Sequence, residues 1–118
     1  MTQPRSLSSV EIRSIDRPRV EAAVAEYVAD LRKDHPEVER VIWFGSWVGG
    51  LPSVGSDVDL CVVVSASPER PRDRIPHFLP DRFPTGLDLL VFTAEEFRLL
   101  PERSPSLFEA ISLGKEVT

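Results

Sequence analysis

The stretch Phe44-Gly45-Ser46-Trp47-Val48-Gly49-Gly50-Leu51-Pro52-Ser53-Val54-Gly55-Ser56-Asp57-Val58-Asp59-Leu60 changes character twice. It closes the apolar run Val41-Ile42-Trp43-Phe44, passes through glycine, serine and proline, and opens a second apolar run, Leu60-Cys61-Val62-Val63-Val64. A strand over about Val38 to Phe44, a glycine-rich loop and a strand over about Asp57 to Val64 is the simplest reading. Side chains alternate along a strand, so Asp57, Asp59, Cys61 and Val63 share one face, and Val58, Leu60, Val62 and Val64 the other. Both faces are apolar beyond the acids, which predicts a central strand covered on both sides, with the acids at its exposed mouth. Two carboxylates at i and i+2 repel unless a counter-charge joins them, and a divalent cation supplies one. The competing reading is that each caps a turn or pairs with an arginine.

A second acidic strand lies downstream. In Gly86-Leu87-Asp88-Leu89-Leu90-Val91-Phe92, a strand over Leu87 to Phe92 puts Asp88, Leu90 and Phe92 on one face. If it neighbours the strand of Asp57 and Asp59, the three acids meet. Thr93-Ala94-Glu95-Glu96 reads as a capping box, with Phe92 and Phe97 at the staple positions. That signal fixes where the strand ends and gives Glu95 and Glu96 structural work.

Gly45-Ser46, the loop, Asp57-Val58-Asp59 and the later Asp88 together resemble the DNA polymerase β-like nucleotidyltransferase superfamily. Within it the chain looks like the minimal nucleotidyltransferases, over about Val20 to Val117. The resemblance implies an α/β (α+β) fold, a small mixed sheet of three to four strands flanked by helices. It implies that Asp57 and Asp59 bridge two magnesium ions, and that Asp88 holds the catalytic one near an acceptor hydroxyl and takes its proton. Gly45 and Ser46 would bind the nucleotide by its β- and γ-phosphates. A glycine lets backbone approach a ligand closely, and a short helical turn starting at Ser46 would favour an anion. The implied reaction moves a nucleoside monophosphate, AMP from ATP, to a hydroxyl with release of pyrophosphate. The implied acceptor is a helical HEPN-type partner protein, as in a toxin–antitoxin pair, or a small molecule such as an aminoglycoside, and that partner or a homodimer would supply the acceptor-binding part that the short chain lacks.

The chain departs from that pattern in one place. Many members read Gly-Ser-Arg-x-Arg-Gly in the loop, and here Trp47, Val48 and Gly49 follow the serine. Two cations that would face a triphosphate are absent, which leaves open a catalytically weak or inactive nucleotide- or partner-binding module, an antitoxin acting by contact. A different Asp-x-Asp enzyme, such as a sugar-nucleotide transferase, would give the Gly-Ser loop no role. The loop is not a Walker motif.

The rest of the chain reads as scaffold. Met1 to about Ile15 is polar and without period, expected to be a flexible arm before a single domain over 16–118. A helix opens at Asp16-Arg17-Pro18, with Asp16 as N-cap, carries the stripe Val20, Val24, Tyr27, Val28 and Leu31, and stops at His35-Pro36. His35 is a loop residue in this reading. From Ser65 to Thr85, five prolines forbid a long helix. A solvated, proline-stiffened loop is favoured there, with one turn of helix allowed around Asp73 to Leu79. Arg70 and Arg74 are minor candidates for phosphate contact, and His77 is read as structural. A last helix opens at Ser104-Pro105, turns Leu107, Ala110 and Ile111 inward and ends at Gly114, with Lys115 to Thr118 as a short, extended tail.

Size and charge set limits. The 118 residues suffice for one core, and 42% hydrophobic with 28% charged residues fit a globular domain. A net charge of −5 argues against an extended nucleic-acid surface, which needs a basic face. No run is long enough to span a membrane and no secretory leader is visible, so a cytoplasmic protein is expected. The one cysteine, Cys61, excludes an internal disulfide and is read as core.

Overall fold

A computed structural model describes residues 16–49 and 57–118. The expected N-terminal arm and most of the glycine-rich loop, residues 50–56, lie outside the described residues.

Helix α1 (Arg17–Asp34) begins where a side chain can hold it: the Asp16 carboxylate accepts from the Arg19 N–H at 3.2 Å. Its buried residues are Val20, Val24, Tyr27, Val28 and Leu31, the predicted stripe. The His35 N–H caps Leu31 O at 2.8 Å, and the His35 ring packs on Phe78 at 4.4 Å between centroids. Strand β1 (Val38–Phe44) follows, then the single turn α2 (Ser46–Gly49), strand β2 (Val58–Val64), helix α3 (Pro71–Phe78), strand β3 (Leu87–Thr93), helices α4 (Ala94–Arg103) and α5 (Pro105–Ser112), and the short strand β4 (Lys115–Glu116).

The sheet order is β3-β2-β1-β4. β1 runs antiparallel to both β2 and β4, while β2 and β3 are parallel. A parallel pair needs a crossover, and the proline-rich segment with α3 provides it. β2 is central, and every residue in it except Asp59 is buried. On one side Val58, Leu60, Val62 and Val64 pack with the α1 stripe, Trp43, Trp47 and Phe78. On the other, Cys61 and Val63 pack with Ile42, Leu100 and Ile111, flanked by Phe97, Leu107 and Phe108 from α4 and α5. The predicted alternation of β2 therefore divides the core into two layers. No helix among the described residues is long and apolar enough to cross a membrane.

Several expectations are corrected. The segment after β2 is not a solvated loop: Pro71 starts α3 at its first turn, where the missing N–H costs nothing. Arg74 is 3% exposed and serves the scaffold: it donates to Val91 O at 3.1 Å and to the Glu96 carboxylate at 2.6 and 3.0 Å. Ala110 is exposed, and Phe108 joins Leu107 and Ile111 in the core, because at 3.6 residues per turn Phe108 falls on the Leu107–Ile111 side of the helix and Ala110 falls beside it. The tail contributes a fourth strand, with Ile42 opposite Glu116 and Trp43 opposite Lys115. Arg70 is an exposed N-cap residue of α3 with no side-chain cap bond. His77 is exposed and lies 3.1 Å from Glu69.

Candidate active site

The site is assembled by strand register. Phe44, Asp59 and Asp88 stand side by side across β1, β2 and β3, since Phe44 pairs with Asp59 and Asp59 with Asp88. Residues paired across a ladder turn their side chains to the same face. Asp59 and Asp88 therefore share the face of Cys61 and Leu90, at the end of the sheet where β1 finishes and β2 and β3 begin. Asp57 precedes β2 at that same end and is exposed. The predicted meeting of the three acids rests on this register.

This placement shapes their electrostatics. The Asp59 carboxyl is pushed above the usual carboxylate range. Burial contributes most, then the charge of Asp88, then that of Asp57, then a side-chain hydrogen bond with Asp88. Asp88 is thus the neighbour that acts most on Asp59, and Asp57 acts on Asp59 more weakly. Among the described residues, no three acidic, imidazole or thiol groups are already gathered as a metal cage. The donor chemistry nevertheless fits a hard divalent cation: three carboxylates on one rim, one of them destabilised as an anion first by burial and then by its neighbours, gain from a shared positive charge.

Two glycines frame the acids. Gly45 follows β1 with φ of +87°, in the left-handed region. A Cβ there would stand 2.1 Å from Asp59 Oδ2, so the turn and the carboxylate are in direct contact. The N–H groups of Val48 and Gly49 return to Gly45 O at 3.1 and 2.9 Å, closing α2 and leaving Ser46 exposed at its start. At Gly86, a Cβ would stand 2.1 Å from Asp57 Oδ1. Sequence reasoning passed over Gly86. The one available signal was a glycine two residues before an acid at the start of a strand.

The departure in the loop has a structural use. Trp47 is 2% exposed and belongs to the α1-side core. The Arg17 guanidinium lies over its ring at 5.3 Å, and Arg17 Nη1 donates to Trp47 O at 3.0 Å. The residue after Ser46 thus anchors α2 to α1. Cys61 is buried, and burial pushes its thiol up to about 12, which makes it unreactive at neutral pH.

The nucleotidyltransferase-domain family model matches residues 24–113. Among solved structures, the chain is similar to that of a candidate nucleotidyltransferase from Sulfolobus solfataricus, determined at 1.40 Å. The two share 21% identity at a TM-score of 0.58, over 77% of this chain and 82% of that one. No curated protein matches. The match spans most of the chain, including both edges of the acidic mouth, and the chain belongs to the nucleotidyltransferase-domain family. It is a nucleotidyltransferase, with a nucleotide as substrate.

Proposed function

We propose that the chain transfers AMP from ATP to a hydroxyl acceptor, using magnesium held by Asp57, Asp59 and Asp88. The observation that carries this reading is the register of Asp59 with Asp88 beside the Gly45 turn. Two magnesium ions, when bound, would stabilise the attacking and leaving oxygens of an in-line displacement. The chain's own contribution is placement. Asp57, Asp59 and Asp88, the last on the edge strand β3, would hold the ions through their carboxylate oxygens. Asp88 is exposed, so its carboxylate can meet an acceptor hydroxyl and take its proton. Gly45 and Ser46 orient the departing phosphates, with no Cβ at 45 to hold them off. The proposed acceptor is a hydroxyl on a helical HEPN-type partner protein, as in a toxin–antitoxin pair, or on a small molecule, with that partner or a second copy of the chain completing the acceptor-binding site. The proposed setting is the cytoplasm.

A second reading has one observation in its favour: Trp47 is committed to the core where the resemblance would put an arginine toward the phosphates. In it the chain is a nucleotide- or partner-binding module with little or no turnover. Label transfer from ATP carrying a radioactive α-phosphate separates the two. Wild-type protein and Asp59→Asn are each mixed with magnesium and a lysate of the source. The expected outcome is a labelled species made by the wild type and lost by at least ~100-fold in a variant that remains folded. Equal labelling by both would sink the three-acid reading. Binding of ATP without label transfer would favour the second one.

A further inference from the structure

We infer that Gly86 is a positioning residue for Asp57: the absence of a side chain at 86 is what allows the Asp57 carboxylate to lie over the start of β3, two residues ahead of Asp88. The inference rests on the proposal that Asp57 is a metal ligand, and adds to it the residue that leads into a different strand, β3.

The three atoms nearest to a Cβ built at 86 all belong to one carboxylate: Asp57 Oδ1 at 2.1 Å, Cγ at 2.6 Å and Oδ2 at 3.1 Å. No real Cβ tolerates such contacts, so any side chain at 86 must displace something. The backbone is held: Val58 N–H donates to Gly86 O at 2.9 Å, and Val58 pairs with Leu87 at the head of the β2–β3 ladder. That bond fixes Gly86 against the residue that follows Asp57, so the two chains cannot easily part. The carboxylate itself is free to yield, because Asp57 is exposed. A methyl group at 86 would thus find its room by turning Asp57 away from the mouth.

Gly86 differs here from the other crowded glycines. Gly45 lies in the left-handed region, so a substitution there strains the backbone as well as meeting Asp59. At Gly114 the nearest obstacle is a backbone oxygen, Trp43 O at 2.4 Å. Gly86 is outside the left-handed region, and its three nearest obstacles are the end of one side chain. The glycine therefore serves the carboxylate and not the turn.

The test measures Mn²⁺ binding by the loss of the free-ion EPR signal, in wild type, Gly86→Ala, Asp57→Asn and the double variant, with thermal melting alongside. Gly86→Ala is expected to bind Mn²⁺ ~10–100-fold more weakly, while melting at or above the wild-type temperature. Asp57→Asn is expected to lose at least as much, and the double variant no more than Asp57→Asn, because both changes remove one ligand. Wild-type affinity in Gly86→Ala, with Asp57→Asn impaired, would overturn the inference alone. A melting temperature well below wild type in Gly86→Ala would overturn it too, since the backbone would then have given way. Wild-type affinity in Asp57→Asn would overturn the metal-ligand reading, and the inference with it.

Discussion

Gly45 meets two demands that no other residue satisfies together. Its φ of +87° is costly for any residue with a Cβ, and the space a Cβ would take is held by Asp59 Oδ2. Gly45→Ala should therefore destabilise the fold by about 1–2 kcal/mol from the backbone strain alone, read as a lower urea midpoint, and should also reduce transfer activity. A variant with the wild-type midpoint would show that residue 45 does not hold the left-handed conformation. At this scale the sequence was most legible where chemistry and spacing coincide. Asp57, Asp59 and Asp88 were readable because an acid in an apolar strand, or at its threshold as Asp57 is, is anomalous, and Gly45 because it sits at a break in hydropathy. Gly86 and Arg74 were not, because their roles depend on residues distant along the chain. Nothing local to Gly86 announces the Asp57 carboxylate, and nothing local to Arg74 announces Val91 or Glu96.

Helix α4 begins with a side chain that serves two elements. Glu96 closes the capping box, accepting from the Thr93 N–H at 2.9 Å while Glu96 N–H donates to Thr93 Oγ1 at 3.1 Å. It also receives the buried Arg74 of α3. The Arg74 guanidinium hydrogen bond is the main reason the Glu96 carboxyl lies below its ordinary value of 4.5. Glu96→Ala leaves a buried cation with only carbonyl partners. We expect a loss of about 3 kcal/mol, the low end for a broken buried pair because Glu96 is partly exposed. Linkage gives a second check. A carboxyl with a depressed folded pKa stabilises fully above its unfolded value and loses that contribution as pH falls through the folded one. The stability gap between wild type and Glu96→Gln should be constant above about pH 5 and narrow steadily below about pH 4. A gap that widened in acid would mean the pair is not formed. The elements themselves were legible in proportion to their regularity. α1 and the capping box were clear because period and cap chemistry agree, whereas α3 was obscured by Pro71 and Pro76, one suited to a first turn and the other inside the helix.

The whole sheet is closed on one edge by a strand of two residues. β4 lies along β1, Val117 N–H donates to Val41 O at 2.9 Å, and the Lys115 ammonium sits 5.2 Å over the Trp43 ring. Arg40 Nε donates to Glu116 Oε2 at 2.8 Å across the same edge. Removing residues 115–118 should cost about 1–3 kcal/mol for the lost edge bonds and shift tryptophan emission to the red, since Trp43 is 3% exposed in the intact chain. Unchanged emission would mean that the tail does not cover Trp43. So short a strand has no period to read, which is why the tail could be called extended but not paired. The order β3-β2-β1-β4 was equally beyond a local reading, although the opposite faces of β2 foretold two layers. That order has a consequence for how the sheet finds its alignment. If β3 slid by one residue against β2, Asp88 would turn to the side where Leu87, Leu89 and Val91 now pack against α1 and α3. A bare carboxylate would then be driven among valines and leucines, which is prohibitive without a partner. The acid proposed to do the chemistry is therefore also the pin that rejects the mis-set sheet, and replacing it with an apolar residue would remove a safeguard of folding along with a ligand.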